Sequence, residues 1–316
     1  MSRPRQVVPG RCYLVTRRCL ERRYFLRPDQ VVNESFWYVL GYTAQKYDIG
    51  IVAACAMSNH YHLEIVDRRG CFPDFLRDFN SLLARCINAH RGRWENFWSG
   101  TQTSMVHLID GESQLDKAAY VVCNPVKDDL VSSAHAWPGA SSAVAISQRR
   151  TIIAKRPPHF FRDNKRSGHM PSSVTIQFVP PPAFQSNAEE FIALLNARIA
   201  TEEARAESVR RQKKTTIVGR RGVLIQHWNC APRSIERRRS LRPRVAAHDR
   251  WARVEAIERN RAFEKSHREC LIAFRRRGLA ETAEHGPLIF PLGTWLMVQR
   301  YHVAAQSVHD SLNAST

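Results

Sequence analysis

Residues 49–66, IGIVAACAMSNHYHLEIV, contain two β-strand patterns separated by a break. The first pattern, Ile49–Ala56, is a short continuous apolar run of the kind that favours a buried central strand. Ser58 and Asn59 then interrupt it, since both residue types favour turns. A second strand is predicted from His60 to Val66. Because consecutive strands usually lie side by side, we expect these two to pair as a hairpin.

The neighbouring segments predict alternating strands and helices. In chain order, the predicted elements are a strand at 11–19, a helix at about 29–47, the two hairpin strands, a helix from about 75 to 91, a strand at about 101–108 and a helix at about 113–124. Ser113 is available to cap the last helix, and Pro125 would clash with its continuation. The first six elements match the β-α-β-β-α-β pattern of ferredoxin-like (RRM-like) folds. We therefore predict an α+β protein with an antiparallel sheet.

The charge of the chain indicates a polyanionic partner. Its 316 residues include 48 Lys and Arg against 29 Asp and Glu, a net charge of +19. Nucleic acid is favoured, because each neutralised phosphate releases counterions. The longest apolar run, residues 49–57, is far shorter than the ~20 residues of a membrane span. The N-terminus has no apolar secretory segment, and eight scattered cysteines without a CxxC pair are typical of a reducing cytoplasm.

The second half is the more basic part. Residues 1–150 have a net charge of +5 and residues 151–316 one of +14. We place a domain boundary near residue 150, because residues 157–174 have the Pro, Gly and Ser content of a linker. Six of the twelve residues from 233 to 244 are arginine, which indicates either phosphate contacts or a solvated linker. This run contains Arg237, Arg238 and Arg239.

Residues 151–316 are predicted to form a mostly helical extension that binds DNA. Ser186 and Glu189 have the spacing of a capping box that opens one helix. A second helix is expected from Asp249 to Arg277. After Gly286, residues 287–303 are predicted to form two short strands or a hairpin.

His60 and His62 are candidate metal ligands. Side chains alternate along a strand, so both histidines lie on one face while Tyr61 lies on the other. Two imidazoles about 7 Å apart can share a metal ion. Pairs of this spacing also occur on ordinary surface strands, so a third ligand and a nucleophile are needed. Cys55 does not favour zinc, since no second cysteine has a suitable spacing.

Tyr120 and Asn124 are candidates for those two roles. They are four residues apart and therefore lie on one face of the predicted helix. An Asn oxygen can bind a hard metal ion, and a divalent ion that polarises a phosphate makes attack by a phenol feasible. The alternatives are a half-buried aromatic for Tyr120 and a helix C-cap for Asn124.

The chain resembles the single-tyrosine HUH transposases, and more narrowly the REP-associated tyrosine transposases. Two histidines around a large apolar residue define the HUH motif. The resemblance covers residues 9–145 and rests on linked motifs in the expected order. These motifs are AMSNHYHLEIV, NFWSGTQTSMV, AYVVCNPVKDDLV and the later Trp137 with Ser141 and Ser142.

The resemblance implies a ferredoxin-like catalytic domain that cuts and rejoins single-stranded DNA beside hairpins. It makes Tyr120 the nucleophile, His60 and His62 ligands of Mg²⁺ or Mn²⁺, and Asn124 the third ligand. Attack would leave a 5′-phosphotyrosine and a free 3′-hydroxyl, with no nucleotide cofactor, because the linkage conserves bond energy. A monomer is favoured over a dimer, in a bacterial cytoplasm near the nucleoid.

Some positions depart from the family's pattern or leave alternatives open. Asp128 and Asp129 follow the NPVK segment and would weaken local phosphate contacts. Glu64 shares the histidine face and is expected to be an extra ligand, a general base or a solvated strand residue.

Two groups outside the motif core are candidates for contacts with DNA. Trp94, Phe97 and Trp98 are expected either to stack on bases or to attach their loop to the core. In the first half of the chain, the arginines proposed to contact DNA are Arg3, Arg5, Arg91 and Arg93.

Two other classes of function remain open. One is a non-catalytic protein, derived from a transposase, that binds DNA hairpins or regulates its own gene. The other is an RNA-binding protein, because ferredoxin-like sheets with basic flanks also occur there. The first and third strands contain no RNP-type aromatic motif, so an RNA-binding protein is less favoured than the other classes. An enzyme requires metal and forms a covalent adduct with DNA, whereas neither binding protein does.

Overall fold

A computed structural model describes residues 4–160, 170–234, 243–277 and 290–295. The chain divides into two compact units. The larger one is Pro9–Arg253, and the smaller one combines the residues before Pro9 with those after Arg253. The larger unit contains the sheet and every candidate catalytic residue.

The strands and helices of the described residues follow the predicted order in the first half of the chain. The strands are β1 (Arg11–Arg18), β2 (Ile49–Ala56), β3 (His60–Asp67), β4 (Ser104–Leu108), β5 (Ile152–Lys155), β6 (Ser173–Ile176) and β7 (Val245–Ala246). The helices are α1 (Gln30–Tyr47), α2 (Phe72–Arg91), α3 (Gly111–Lys127), α4 (Ala143–Ser147), α5 (Ala188–Lys213), α6 (Gly219–Ile225) and α7 (Arg250–Arg277). Three short 3₁₀ helices complete the set within these residues.

The main sheet has the order β2-β3-β1-β4-β7. Each neighbouring pair among its first four strands is antiparallel, which confirms the ferredoxin-like prediction, and β7 adds a short parallel pair to β4. β5 and β6 form a separate hairpin. The two faces of the sheet are covered by different helices. Tyr61 of β3 packs against Phe36 of α1 and Phe79 of α2, whereas Leu14 and Val66 join the core that contains α3.

The prediction that Ile49–Ala56 is a central strand was wrong, although all eight of its residues are buried. β2 lies at the sheet edge, and later segments cover it. The amide of Ala56 donates to the carbonyl oxygen of Ala140 at 2.8 Å, and Val179 donates to Ile51 at 2.9 Å. The Ser142 hydroxyl accepts from the Ala54 amide at 2.9 Å. These contacts explain an apolar edge strand, because no part of it is left to water.

Helix α3, which carries Tyr120, begins and ends differently from the prediction. Asp110 is its cap, with Ser113 completing a capping box, so the helix begins two residues earlier than Ser113. It also continues through Pro125 to Lys127. Proline removes one donor and crowds the preceding turn. Here the next turn is closed by the Asp128 amide, which donates to the Asn124 carbonyl oxygen at 3.0 Å.

The described residues between 151 and Arg253 belong to the same compact unit as the sheet. Helix α5 buries Phe191, Leu195 and Ile199 in the core that contains α3. Its cap is Asn187, whose side-chain oxygen accepts from the Glu190 amide, so the cap lies one residue after the predicted Ser186. The compact unit therefore extends to Arg253. A separate functional role for residues 151–316 stays a prediction.

Only part of the predicted hairpin at 287–303 lies within the described residues. Pro291 and Thr294 close a turn through a 3.1 Å hydrogen bond, and Gly293 has a φ of +84° within it.

No described helix combines the length and the hydropathy of a membrane span. The cysteines in the described residues are all free, and five of the eight are buried.

Candidate active site

The strand register places the histidine motif beside β1. His60 pairs with Arg18 and His62 with Thr16 across the antiparallel β1–β3 ladder. The two imidazole rings have their centroids 4.7 Å apart, so the structure brings the predicted pair together. His62 is buried, with 4% of its surface exposed, and His60 is half-buried.

Each of the two histidines has a hydrogen-bond partner at its δ nitrogen. The Nδ1 of His60 lies 2.6 Å from Oδ1 of Asn59. Because that oxygen only accepts, His60 carries its proton on Nδ1 and presents a lone pair at Nε2. The Nδ1 of His62 lies 2.8 Å from the Thr16 hydroxyl oxygen. The Nε2 of His62 is buried and has no hydrogen-bond partner among the described residues.

Burial keeps both imidazoles neutral. It lowers the pKa of His60 to about 4, and the charges of Arg18 and Arg22 act in the same direction. Burial also holds the pKa of His62 well below its usual range, with a further contribution from His60. A metal ligand must be a neutral imidazole, so the electrostatics suit this role at neutral pH.

Tyr120 lies next to the histidine pair. Its ring and that of His62 meet edge to face with centroids 5.1 Å apart. Two ammonium groups of the same helix flank the Tyr120 ring: Nζ of Lys117 lies 5.7 Å and Nζ of Lys127 5.2 Å from its centroid. The Lys127 group is also in an ion pair with Glu202 at 2.8 Å. The ring is therefore held between a neutral imidazole and positive charge.

Asn124 follows Tyr120 by one helical turn and is buried, with 4% exposed. Its Nδ2 has no hydrogen-bond partner among the described residues. The two ends of an amide are nearly isosteric, so the same side chain can present its oxygen instead. Within the described residues, His62 and Asn124 each have one buried polar group without a partner, which a bound ion could satisfy. The donor types of His60, His62 and Asn124 fit a divalent ion.

Glu64 is fully buried, so the expectation of a solvated strand residue was wrong. Burial holds the pKa of its carboxyl well above the usual range, opposed by the Cys12 thiol, which donates to Oε1 at 3.4 Å, and by Lys117. Oε2 has no partner among the described residues. In the described part of the chain, no three His, Cys, Asp or Glu residues cluster as a metal site. Glu64 therefore does not complete such a cluster with the histidines, and its role as a general base stays a prediction.

Two of the predicted DNA-binding arginines have partners within the protein. The Arg91 guanidinium, with 6% of the side chain exposed, pairs with Asp29 at 2.7 Å. The Arg93 guanidinium stacks on the Phe25 ring at 3.9 Å. Arg5 lies in the smaller unit. Arg3, Arg237, Arg238 and Arg239 lie outside the described residues. Contact of these arginines with DNA stays a prediction.

Two of the three loop aromatics attach the loop to the core. Phe97 is buried, and the Trp98 indole donates to the Asn80 carbonyl oxygen at 2.9 Å. Trp94 is 88% exposed, and stacking of its ring on bases stays a prediction.

Three residues near the site escaped the sequence analysis. Thr16 of β1 is paired with His62 of β3. It was missed because the sequence of one strand does not show its register with a neighbouring strand. Asn59 was assigned only to a turn. Lys117 lies three residues before Tyr120, a spacing that places it on the same helical face.

The pKa of His60 predicts a pH-dependent stability. An unfolded imidazole titrates near pH 6.5, so between about pH 6.5 and 4 the unfolded chain binds a proton that folded His60 does not. The free energy of unfolding therefore falls as the pH falls through this window. From pH 7.5 to 5 we expect the loss in His60→Gln to be about 2 kcal/mol smaller than in the wild type.

Urea unfolding at the two pH values measures this difference. Comparison with the wild type cancels the opposite contribution of Glu64, whose raised pKa stabilises the fold as the pH falls. His135→Gln changes an exposed side chain and is the control. Its free energy of unfolding should fall between the two pH values by as much as that of the wild type. An equal loss in His60→Gln and the wild type contradicts the prediction.

The comparison with solved structures is the one that found similar proteins. No model of a known protein family matches the chain, and no curated protein does. A REP-associated tyrosine transposase bound to a REP hairpin matches with a TM-score of 0.41 and 16% identity, over 47% of this chain and 86% of that one. A candidate transposase from Deinococcus radiodurans R1 matches with a TM-score of 0.28 and 17% identity, over 38% of this chain and 95% of the other. Each of these two similarities covers less than half of this chain.

Proposed function

We propose that this protein is a metal-dependent single-stranded DNA endonuclease and strand transferase. One observation carries the proposal: the ring of Tyr120 lies against His62, a neutral imidazole whose buried Nε2 has no hydrogen-bond partner within the described part of the chain. Most buried side-chain nitrogens in proteins have a hydrogen-bond partner, so this nitrogen is available to a ligand. A nucleophile beside an available metal ligand is an arrangement for phosphoryl transfer.

His60, His62 and Asn124 would hold Mg²⁺ or Mn²⁺. A bound ion would supply Lewis-acid polarisation of the scissile phosphate. Thr16 and Asn59 fix the imidazole orientations through Nδ1, which is the usual way that outer residues position metal ligands.

Tyr120 is the proposed nucleophile. Its phenolic oxygen attacks the phosphorus in line and loses its proton to water. The bond from phosphorus to the 3′-oxygen breaks, that oxygen takes up a proton, and the 5′-phosphate stays on Tyr120. A second 3′-hydroxyl then displaces Tyr120 and joins the strands, which divides one reaction into two easier steps. No nucleotide cofactor is needed for this exchange of phosphodiester bonds.

Single-stranded DNA with hairpins is the proposed substrate, as the sequence motifs imply. The net charge of +19 suits a polyanion.

A denaturing gel tests the function. Purified full-length protein is incubated with 3′-labelled single-stranded hairpin oligonucleotides from the DNA that flanks its gene, with Mn²⁺ or with EDTA. We expect the label to migrate with the protein only when Mn²⁺ is present. Tight binding without any adduct on all hairpins would instead support the non-catalytic hairpin-binding protein.

A further inference from the structure

A cavity of about 680 Å³ opens beside Tyr120, within the range of about 300–1,000 Å³ that ligand sites usually have. Helix α3 forms one wall with Tyr120 and Lys117, and β1 contributes Thr16. The lining also includes residues around β7, among them His248, and Arg253 in the first turn of α7. Residues from the basic second half therefore line the cavity that contains the proposed nucleophile.

The charges in this cavity are unevenly compensated. Asp116 is the carboxylate of the lining, and its two oxygens already contact Arg198 and His248. Lys117 and Arg253 make no ion pair among the described residues. Lys127, on the same helix, has its charge compensated by Glu202. Lys117 is thus the ammonium group beside Tyr120 that is available to an anion.

The remaining walls are apolar. Leu14, Val106 and Val245 come from three adjacent strands, and Ala246 and Pro243 extend that surface. A cavity that combines an apolar surface with two cations, next to the proposed nucleophile, suits a ligand with a flat base and a phosphate. A free inorganic anion would leave the apolar wall unused.

We infer that this cavity binds a nucleotide of single-stranded DNA next to the phosphate that Tyr120 attacks, with Lys117 and Arg253 paired to its backbone. The inference rests on the proposed function and adds the position of the bound strand. It makes Lys117 a substrate-binding residue, and it gives the segment from Pro243 to Arg253 a direct part in the site.

Binding of short DNA in the absence of metal tests this inference. The probe is a pool of fluorescein-labelled single-stranded hexanucleotides, with one 4-thiothymidine and random bases elsewhere, and the protein is the full chain in EDTA. Fluorescence anisotropy gives the affinity between about 50 and 300 mM KCl. Irradiation followed by peptide mass spectrometry gives the site of crosslinking.

We expect Lys117→Met to weaken binding about tenfold and to reduce the slope of log affinity against log salt by about one, as the loss of one phosphate contact does. Arg253→Met should act similarly, and Lys117→Arg should restore binding. Lys155→Met, on an exposed strand residue, removes the same charge far from Tyr120 in sequence and should leave the slope unchanged. Crosslinks should map to peptides that contain residues 243–253.

Equal effects of Lys117→Met and Lys155→Met, or crosslinks that avoid both cavity walls, would overturn the inference. Thermal unfolding of each variant identifies any that misfold, and Lys117→Arg then decides. Because no metal or cleavage is involved, cavity binding without an adduct would refute only the proposed function. An adduct that forms while Lys117→Met binds normally would refute only this inference.

Discussion

Tyr120→Phe is expected to abolish the covalent protein–DNA adduct while DNA affinity stays at the wild-type value. The substitution removes one hydroxyl group and keeps the ring that packs edge to face against His62. Without the phenolic oxygen no bond to phosphorus can form, and the loss of a nucleophile commonly costs on the order of 10⁴-fold or more in rate. The measurement is adduct formation on a denaturing gel with Mn²⁺, together with binding of the same hairpins by anisotropy.

Tyr42→Phe is the matched control. This half-buried tyrosine stacks on Tyr38 in α1, away from the α3 face of the sheet, and its hydroxyl has no hydrogen bond among the described residues. The control should form adduct at the wild-type rate. If Tyr120→Phe still carries labelled DNA, another residue is the nucleophile. If neither variant nor the wild type forms an adduct, the result supports the alternative of a non-catalytic protein that binds DNA hairpins.

Local patterns predicted most of the first half of the fold. The alternation in β1 and the spacing of apolar residues in α2 depend on near neighbours, and both elements were found within one to three residues of their predicted ends. The β-α-β-β-α-β order then leaves few arrangements of the sheet. The edge position of β2 was missed, because the segments that cover it lie about 90 and 125 residues later in the chain.

The candidate site was predicted in its residue types but not in its environment. Alternation places His60 and His62 on one face, and helical spacing places Tyr120 and Asn124 on another. That these two faces meet is a tertiary fact, visible only in the contact between His62 and Tyr120. Burial of Glu64 was likewise unpredictable, since a charged residue in a strand is usually exposed unless it is paired.

His62→Ala is expected to remove most of the affinity for a divalent ion. His62 would supply one of three ligands, and substitution of residues that merely orient a ligand already costs about 10–100-fold in metal affinity. We expect His62→Ala to weaken Mn²⁺ binding by more than about 100-fold and Thr16→Val, which removes the partner of Nδ1, by about 10–100-fold. Isothermal titration with Mn²⁺ in the absence of DNA measures both.

The order of these two effects distinguishes a metal site from a structural histidine. If Nε2 of His62 binds the ion, His62→Ala must lower the Mn²⁺ affinity more than Thr16→Val does, because Thr16 only orients the ligand. His135→Ala, at an exposed histidine, should bind Mn²⁺ as the wild type does. Urea unfolding checks that each variant is folded. Unchanged Mn²⁺ affinity in folded His62→Ala would mean that the partnerless nitrogen serves another purpose, and that Tyr120 lies beside a histidine that binds no metal.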